Sequence, residues 1–130
     1  AGTNATLLSI FHNQSTPGNF SFNRVDFTNP SATTVATVAD LDGDGKPEII
    51  TVSETGNRIS IFKNMYTGGA ITPASFSAPF NTTVTAPRGI TTGDLNLDGK
   101  PEIIITRAAG FLVVYENLIG NPLITSFNPT

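Results

Sequence analysis

One acidic pattern occurs twice in this chain, as Asp40-Leu-Asp-Gly-Asp-Gly-Lys-Pro-Glu48 and as Asp94-Leu-Asn-Leu-Asp-Gly-Lys-Pro-Glu102, 54 residues apart. Each copy puts oxygen-bearing side chains at loop positions 1, 3, 5 and 9, with glycine at position 6. These are Asp40, Asp42, Asp44 and Glu48 around Gly45, and Asp94, Asn96, Asp98 and Glu102 around Gly99. Alternate residues of a tightly curled loop point inward, and glycine permits the sharp bend. Carboxylates crowded in this way repel one another unless a cation sits among them. Hard oxygen ligands without His or Cys suit Ca²⁺ rather than zinc or copper. The backbone carbonyl at position 7, Lys46 or Lys100, is a further expected ligand. Two Ca²⁺ sites are therefore expected. Four carboxylates in the first loop against three in the second predict that the first binds more tightly. The bland alternative is a pair of solvated acidic turns.

The residues after each loop decide its type. An EF-hand needs a bidentate acid at position 12 and flanking helices, but that position holds Thr51 or Ile105. The loops run instead into Glu48-Ile-Ile-Thr-Val52 and Glu102-Ile-Ile-Ile-Thr106, β-branched apolar runs that read as buried strands. Short strand-like segments also precede them, so each acidic loop is the turn of a β-hairpin.

A second element repeats alongside the loops. Ser9-Ile-Phe-His-Asn13 recurs as Ser60-Ile-Phe-Lys-Asn64 and as Val113-Val-Tyr-Glu-Asn117, at intervals of 51 and 53 residues. A repeat of about 50 residues with four strand-like runs is the pattern of a propeller blade. The expected strands are 6–12, 20–27, 34–39, 48–53, 58–63, 71–80, 89–93, 102–106, 111–116 and 123–127, with Pro73 and Pro79 marking 71–80 as an irregular edge. No stretch of ten or more residues has a helical period. The chain is expected to be all-β, built of four-stranded antiparallel propeller blades. It reads as one repeat domain over 1–130, with repeat one at 5–56, repeat two at 57–109 and a partial repeat three at 110–130. About two and a half repeats make an incomplete β-propeller, since closure needs four or more blades. The expectation is a piece excised from a longer chain or a subunit that completes its array by self-association.

Seven of the ten acidic residues lie in the two loops, and two bound Ca²⁺ would take the formal net charge from −3 to +1. The acidity is thus local. No basic cluster suits nucleic acid or an anionic membrane, and no apolar run is long enough to span a bilayer. There are no cysteines, which excludes disulfides and thiol chemistry. Weak Ca²⁺ modules work where free Ca²⁺ is plentiful, so an extracellular location is expected. Asn4, Asn13, Asn19 and Asn81 each begin an Asn-x-Ser/Thr triplet, which chance explains as well as glycosylation does in a chain rich in Asn and Thr. No catalytic constellation is evident. His12 is the one histidine, and its repeat equivalents are Lys63 and Glu116, three unlike chemistries that suit an exposed strand end.

The loops and their surroundings resemble the FG-GAP/VCBS repeat, the calcium-loop blade of integrin-α-like seven-bladed propellers. The family loop is Asp-x-Asp/Asn-x-Asp/Asn-Gly-x-x-Asp, and both copies match it except that Glu48 and Glu102 replace the last Asp. The Ser-Ile-Phe-x-Asn, Phe-x-x-Val-Asp-Phe27 and Gly-Asp-Leu95 segments look like bacterial secreted members, found in adhesins and beside carbohydrate-active enzymes. The resemblance implies structural Ca²⁺ on one face of the blades and a glycan or protein ligand on the other. Arg88, Arg107, Glu54 and Asn57 are the candidates for that opposite face, each of which also fits an ordinary exposed turn. Phe11, Phe62 and Tyr115 are equivalent and are expected to pack between blades, as are Phe22, Phe27, Phe76 and Phe80. Asn13, Asn64 and Asn117 are expected to hydrogen-bond turn backbone. The implied function is a non-enzymatic, calcium-binding segment of an extracellular adhesion or carbohydrate-binding protein. The alternatives are a non-catalytic piece of a secreted polysaccharide lyase or hydrolase, or a pure assembly scaffold.

Overall fold

The central strands follow from the two apolar runs. In the computed structural model, which describes residues 6–118 and 127–129, every residue of β4 (Glu48–Ser53) is buried. It lies second in a four-stranded sheet, between β3 (Val35–Ala39) and β5 (Arg58–Phe62), with β6 (Phe80–Thr83) at the outer edge. A second sheet repeats this order with β7 (Pro87–Gly93), β8 (Glu102–Arg107), β9 (Leu112–Asn117) and β10 (Phe127–Pro129). A two-stranded sheet of β1 (Thr6–Asn13) and β2 (Phe22–Asn29) precedes both. All pairings are antiparallel between consecutive strands. The architecture is all-β, half a blade followed by two blades.

The two blades pack through their first strands, β7 lying against β3 and β4. Ile50, Val52, Ile59 and Ile61 from one blade meet Ile103, Ile105 and Tyr115 from the next in one core, with Leu41 wedged among them. Burying such side chains stabilises the joint by about 1.5–3 kcal/mol each. The half blade joins through β2. Phe27 packs edge-to-face on Phe76 with ring centroids 5.2 Å apart. Asn29, buried at the end of β2, donates to Ser31 O at 2.9 Å and Thr33 Oγ1 at 2.6 Å, fixing the crossing to β3.

Two expectations change. The expected strand 71–80 does not form over residues 71–79. Pro73 opens a 3₁₀ turn, Pro73–Ser75, and Thr72 N donates to Ser75 Oγ at 3.0 Å across it. Proline's fixed φ favours such a turn and removes a ladder donor. The edge strand starts at Phe80 and continues through Asn81, Thr82 and Thr83, which pair with Ser60, Ile59 and Arg58. Phe11 and Phe22 are exposed, at 60% and 56%, whereas Phe62 and Tyr115 are buried as expected. Phe11 belongs to the half blade, where β1 pairs only with β2 among the described residues, so no neighbouring strand covers it. Most of the expected strand 123–127 lies outside the described residues, and β10 occupies Phe127–Pro129.

Loop position 2 tests the packing. Leu41 is fully buried between blades, whereas its equivalent Leu95, on the last blade, is 58% exposed. Leu41→Ala should destabilise the chain by about 2–5 kcal/mol in urea unfolding. Leu95→Ala should change it by less than about 0.5 kcal/mol. Equal effects would contradict the burial asymmetry.

Candidate metal centre

Each acidic loop wraps itself around its first aspartate. Asp40 Oδ1 accepts from Gly43 N and Oδ2 from Gly45 N, both at 2.8 Å. In the second loop Asp94 Oδ1 accepts from Asp98 N at 3.2 Å and Oδ2 from Gly99 N at 2.9 Å. Gly45 and Gly99 take φ of +82° and +86°, a conformation that side chains disfavour. The position-5 aspartates match as well, with Asp44 Oδ1 and Asp98 Oδ1 accepting from Lys46 N and Lys100 N at 2.9 Å. The position-3 residues do the same for position 5, Asp42 through Asp44 N and Asn96 through Asp98 N. The sequence equivalence is therefore one of conformation.

The position-9 glutamates turn inward. Glu48 is fully buried, and its Oε2 accepts from Leu41 N at 2.8 Å while Oε1 accepts from Asn64 N at 3.2 Å. Burial is the main influence on its pKa and raises it above the ordinary glutamate value. The Leu41 and Asn64 amides oppose that shift. Glu102 repeats the first bond, to Leu95 N at 2.7 Å, but its other oxygen is buried without a hydrogen-bond partner. The strand-end asparagines tie the loops down as expected. Asn64 Nδ2 donates to Pro47 O at 3.0 Å, and Asn117 Nδ2 donates to Pro101 O at 3.2 Å and to Leu41 O at 2.9 Å. Asn13 accepts from Ser15 N at 2.9 Å.

Carboxylate oxygens of Asp40, Asp42 and Glu48 lie within 4.8 Å of one another. Ca²⁺ binds oxygen at 2.3–2.6 Å, so ligands on opposite sides of the ion are separated by about twice that, and these three residues fit one coordination sphere. Asp44 Oδ2 lies 3.8 Å from Lys46 Nζ and 3.7 Å from Lys63 Nζ. Lys63 also bonds Asp42 directly, and that bond holds its ammonium pKa above the ordinary lysine value. Lys63 is thus part of the loop, not the exposed strand end expected from its unlike repeat equivalents. The second loop offers Asp94, Asp98 and Glu102, with Asn96 at position 3.

A profile of the FG-GAP-like repeat matches residues 1–51 and again 40–105. The chain belongs to the FG-GAP-like repeat family. No curated protein and no solved structure matches it. Family repeats are typical of extracellular proteins, and among the described residues no helix is long and apolar enough to cross a membrane.

The opposite-face candidates have structural partners in this FG-GAP-like chain. Asn57 takes φ of 48° in the β4–β5 turn, and its Oδ1 accepts from Ala86 N at 2.7 Å. Arg107 Nε donates to Thr85 O at 2.7 Å. Both hold the β6–β7 connection. Arg88 and Glu54 form an exposed ion pair at 2.8 Å.

Position 4 distinguishes the loops energetically. Gly43 has φ of 75°, and Leu97 adopts nearly the same backbone, φ 63°, with its side chain in solvent. A left-handed conformation costs a side-chain-bearing residue about 1–2 kcal/mol. Leu97→Gly should therefore raise unfolding stability, by about 0.5–1 kcal/mol after the greater backbone entropy of glycine. A loss of stability in denaturant titration would contradict the strain at Leu97.

Proposed function

We propose that this FG-GAP-like chain is a calcium-stabilised β-propeller segment of an extracellular adhesion or carbohydrate-binding protein, with no catalytic role. The observation that carries this reading is the convergence of Asp40, Asp42 and Glu48 oxygens within 4.8 Å in a hairpin turn. The second turn repeats the loop sequence and its backbone hydrogen bonds, although among the described residues its three carboxylates do not converge in the same way. Ca²⁺ fits the donor set because every ligand is a hard oxygen. Its part is structural, neutralising the carboxylates and stiffening the hairpin end of each blade. Asp40, Asp42, Asp44, Glu48 and the Lys46 carbonyl are assigned to one ion. Asp94, Asn96, Asp98, Glu102 and the Lys100 carbonyl are assigned to the other.

The ligand-binding face is assigned to the side of the blades away from the acidic turns. There the exposed Arg88–Glu54 pair, with Asn57 and Arg107 beside it in the chain's turns, offers charge and hydrogen bonds to a glycan or a protein. The apolar side chains left exposed on the last blade, Leu95 and Leu97, favour a further blade or a second copy of the chain against it.

Thermal unfolding with excess EGTA and with excess CaCl₂ tests the metal role. Ligand at about 100 times Kd, bound to the folded state alone, stabilises it by roughly 2.7 kcal/mol. A clear rise in Tm with Ca²⁺, larger than with Mg²⁺, is expected, and no rise would sink the reading. The increment should also depend on pH. Because Glu48 has a raised pKa when folded, its contribution in EGTA is fully present below its unfolded value near 4.5 and is lost as pH rises through the folded value. Cation binding needs the ionised carboxylate. The Ca²⁺ increment in Tm should thus be small near about pH 4 and grow toward neutrality. An increment that is flat with pH would contradict the part given to Glu48.

A further inference from the structure

The two acidic loops match in conformation, but the residue facing each from the next strand differs in sign. In the first blade the ladder pairs Ile49 with Phe62, and one step further it sets Glu48 opposite Lys63. In the second blade Ile103 pairs with Tyr115, and one step further Glu102 stands opposite Glu116. Residues directly opposite on an antiparallel pair project to the same side with Cβ atoms about 4.5–5.5 Å apart. The strand end therefore delivers an ammonium to one loop and a carboxylate to the other.

At the first loop the ammonium is engaged. Lys63 Nζ bonds Asp42 and lies 3.7 Å from Asp44 Oδ2. Asp42 is one of the three residues whose oxygens converge, so a divalent ion must compete for it with a charge tethered on the same protein. At the second loop, among the described residues, no ion pair involves Asp94, Asp98, Glu102 or Glu116. Glu102 and Glu116 instead line one cavity of about 270 Å³ with Asn96. Glu102 is only 3% exposed, and its Oε1 has no hydrogen-bond partner. The corresponding Glu48 oxygen is satisfied by Asn64 N. Like charges directly opposite on a ladder destabilise it, and a buried carboxylate oxygen without a partner adds a desolvation penalty. A cation beside Glu102 removes both penalties.

We propose that Lys63 and Glu116 set the order of cation binding, so that the second loop takes the first Ca²⁺ and the first loop fills only when the ion displaces the Lys63 ammonium. This rests on the reading of both loops as Ca²⁺ sites and reverses the order that ligand counting alone gives. Four loop carboxylates against three become a formal three against four once Lys63 and Glu116 are included. Lys46 and Lys100 occupy the same position in each loop and cancel. Lys63 is thus a specificity-determining residue for the metal.

The test is a Ca²⁺ titration of the intact ¹⁵N-labelled chain followed by NMR, with the Gly45 and Gly99 amides as separate reporters. Both amides bond the first aspartate of their own loop. In the native sequence the Gly99 signal should saturate before that of Gly45. A unit charge removed from about 5 Å of a divalent ion changes affinity roughly tenfold at water-like screening. Lys63→Gln should therefore shift the Gly45 midpoint to roughly tenfold lower Ca²⁺ and leave Gly99 unmoved. Glu116→Gln should shift the Gly99 midpoint to higher Ca²⁺ and leave Gly45 unmoved. The exchange Lys63→Glu with Glu116→Lys should invert the order, and it keeps the net charge of the chain. If Gly45 saturates first in the native chain, or neither single variant moves its own loop, the ordering is wrong while the Ca²⁺ sites stand. If neither glycine responds to Ca²⁺ in any variant, the metal reading itself is wrong and the ordering falls with it.

Discussion

A buried glutamate at the foot of each acidic turn holds the blade together. Glu48 reaches back across its own loop to the Leu41 amide and across the ladder to the Asn64 amide. By fixing Leu41 N it aims the Leu41 side chain into the joint between blades, where it is fully buried. An aspartate at position 9 is one methylene shorter and would have to reach the same amide from further away. The glutamate thus replaces the last aspartate of the family loop without loosening the turn, and it couples loop conformation to the apolar core. Its burial in ionised form is unfavourable on its own. The two amides offset that penalty in part, and a cation among the neighbouring aspartates would offset more.

The joint between blades depends on the same loop. Asn117, at the end of β9, donates to the Leu41 carbonyl and also to Pro101 at the exit of the second loop. Thus the Leu41 backbone is gripped from both sides, its N–H by Glu48 and its carbonyl by the neighbouring blade. The Leu95 equivalent has the glutamate clamp but, among the described residues, no following blade, and its side chain lies in solvent. Repeat proteins gain stability from each nearest-neighbour interface. Among the described residues this chain realises one such full interface, with a lesser one at Phe27–Phe76, and leaves Leu95 and Leu97 exposed on the second full blade.

Much of this was legible in the sequence because the determinants are local. Alternate oxygens with a glycine at position 6 specify a curled turn, and a β-branched run directly after it specifies a buried strand. The repeated Asn at the strand end was legible as a backbone ligand. What was not legible depends on partners distant in the chain. Residues 71–80 look like a strand by composition, but Pro73 and the Thr72–Ser75 contact close a turn there, and pairing with β5 begins only at Phe80. Phe11 matches Phe62 in the repeat, yet burial requires a neighbouring strand that β1 lacks among the described residues. His12, Lys63 and Glu116 look unconstrained because their chemistries differ. A difference at one structural position is also how two otherwise matched sites are given different properties.

That last point bears on how repeats diverge. The loop residues cannot vary freely, since each loop carboxylate also accepts at least one backbone N–H that shapes the turn. Asp40 serves Gly43 and Gly45, and Asp44 serves Lys46. Removing one alters the fold of the hairpin as well as its charge. The strand-end residue opposite position 9 carries no such duty, because its neighbour Asn64 or Asn117 makes the backbone bonds. Its side chain still reaches the loop, as Lys63 does. It is therefore the position at which the charge of the turn can change with the least disturbance to its geometry, and the one at which this chain's two blades carry opposite signs.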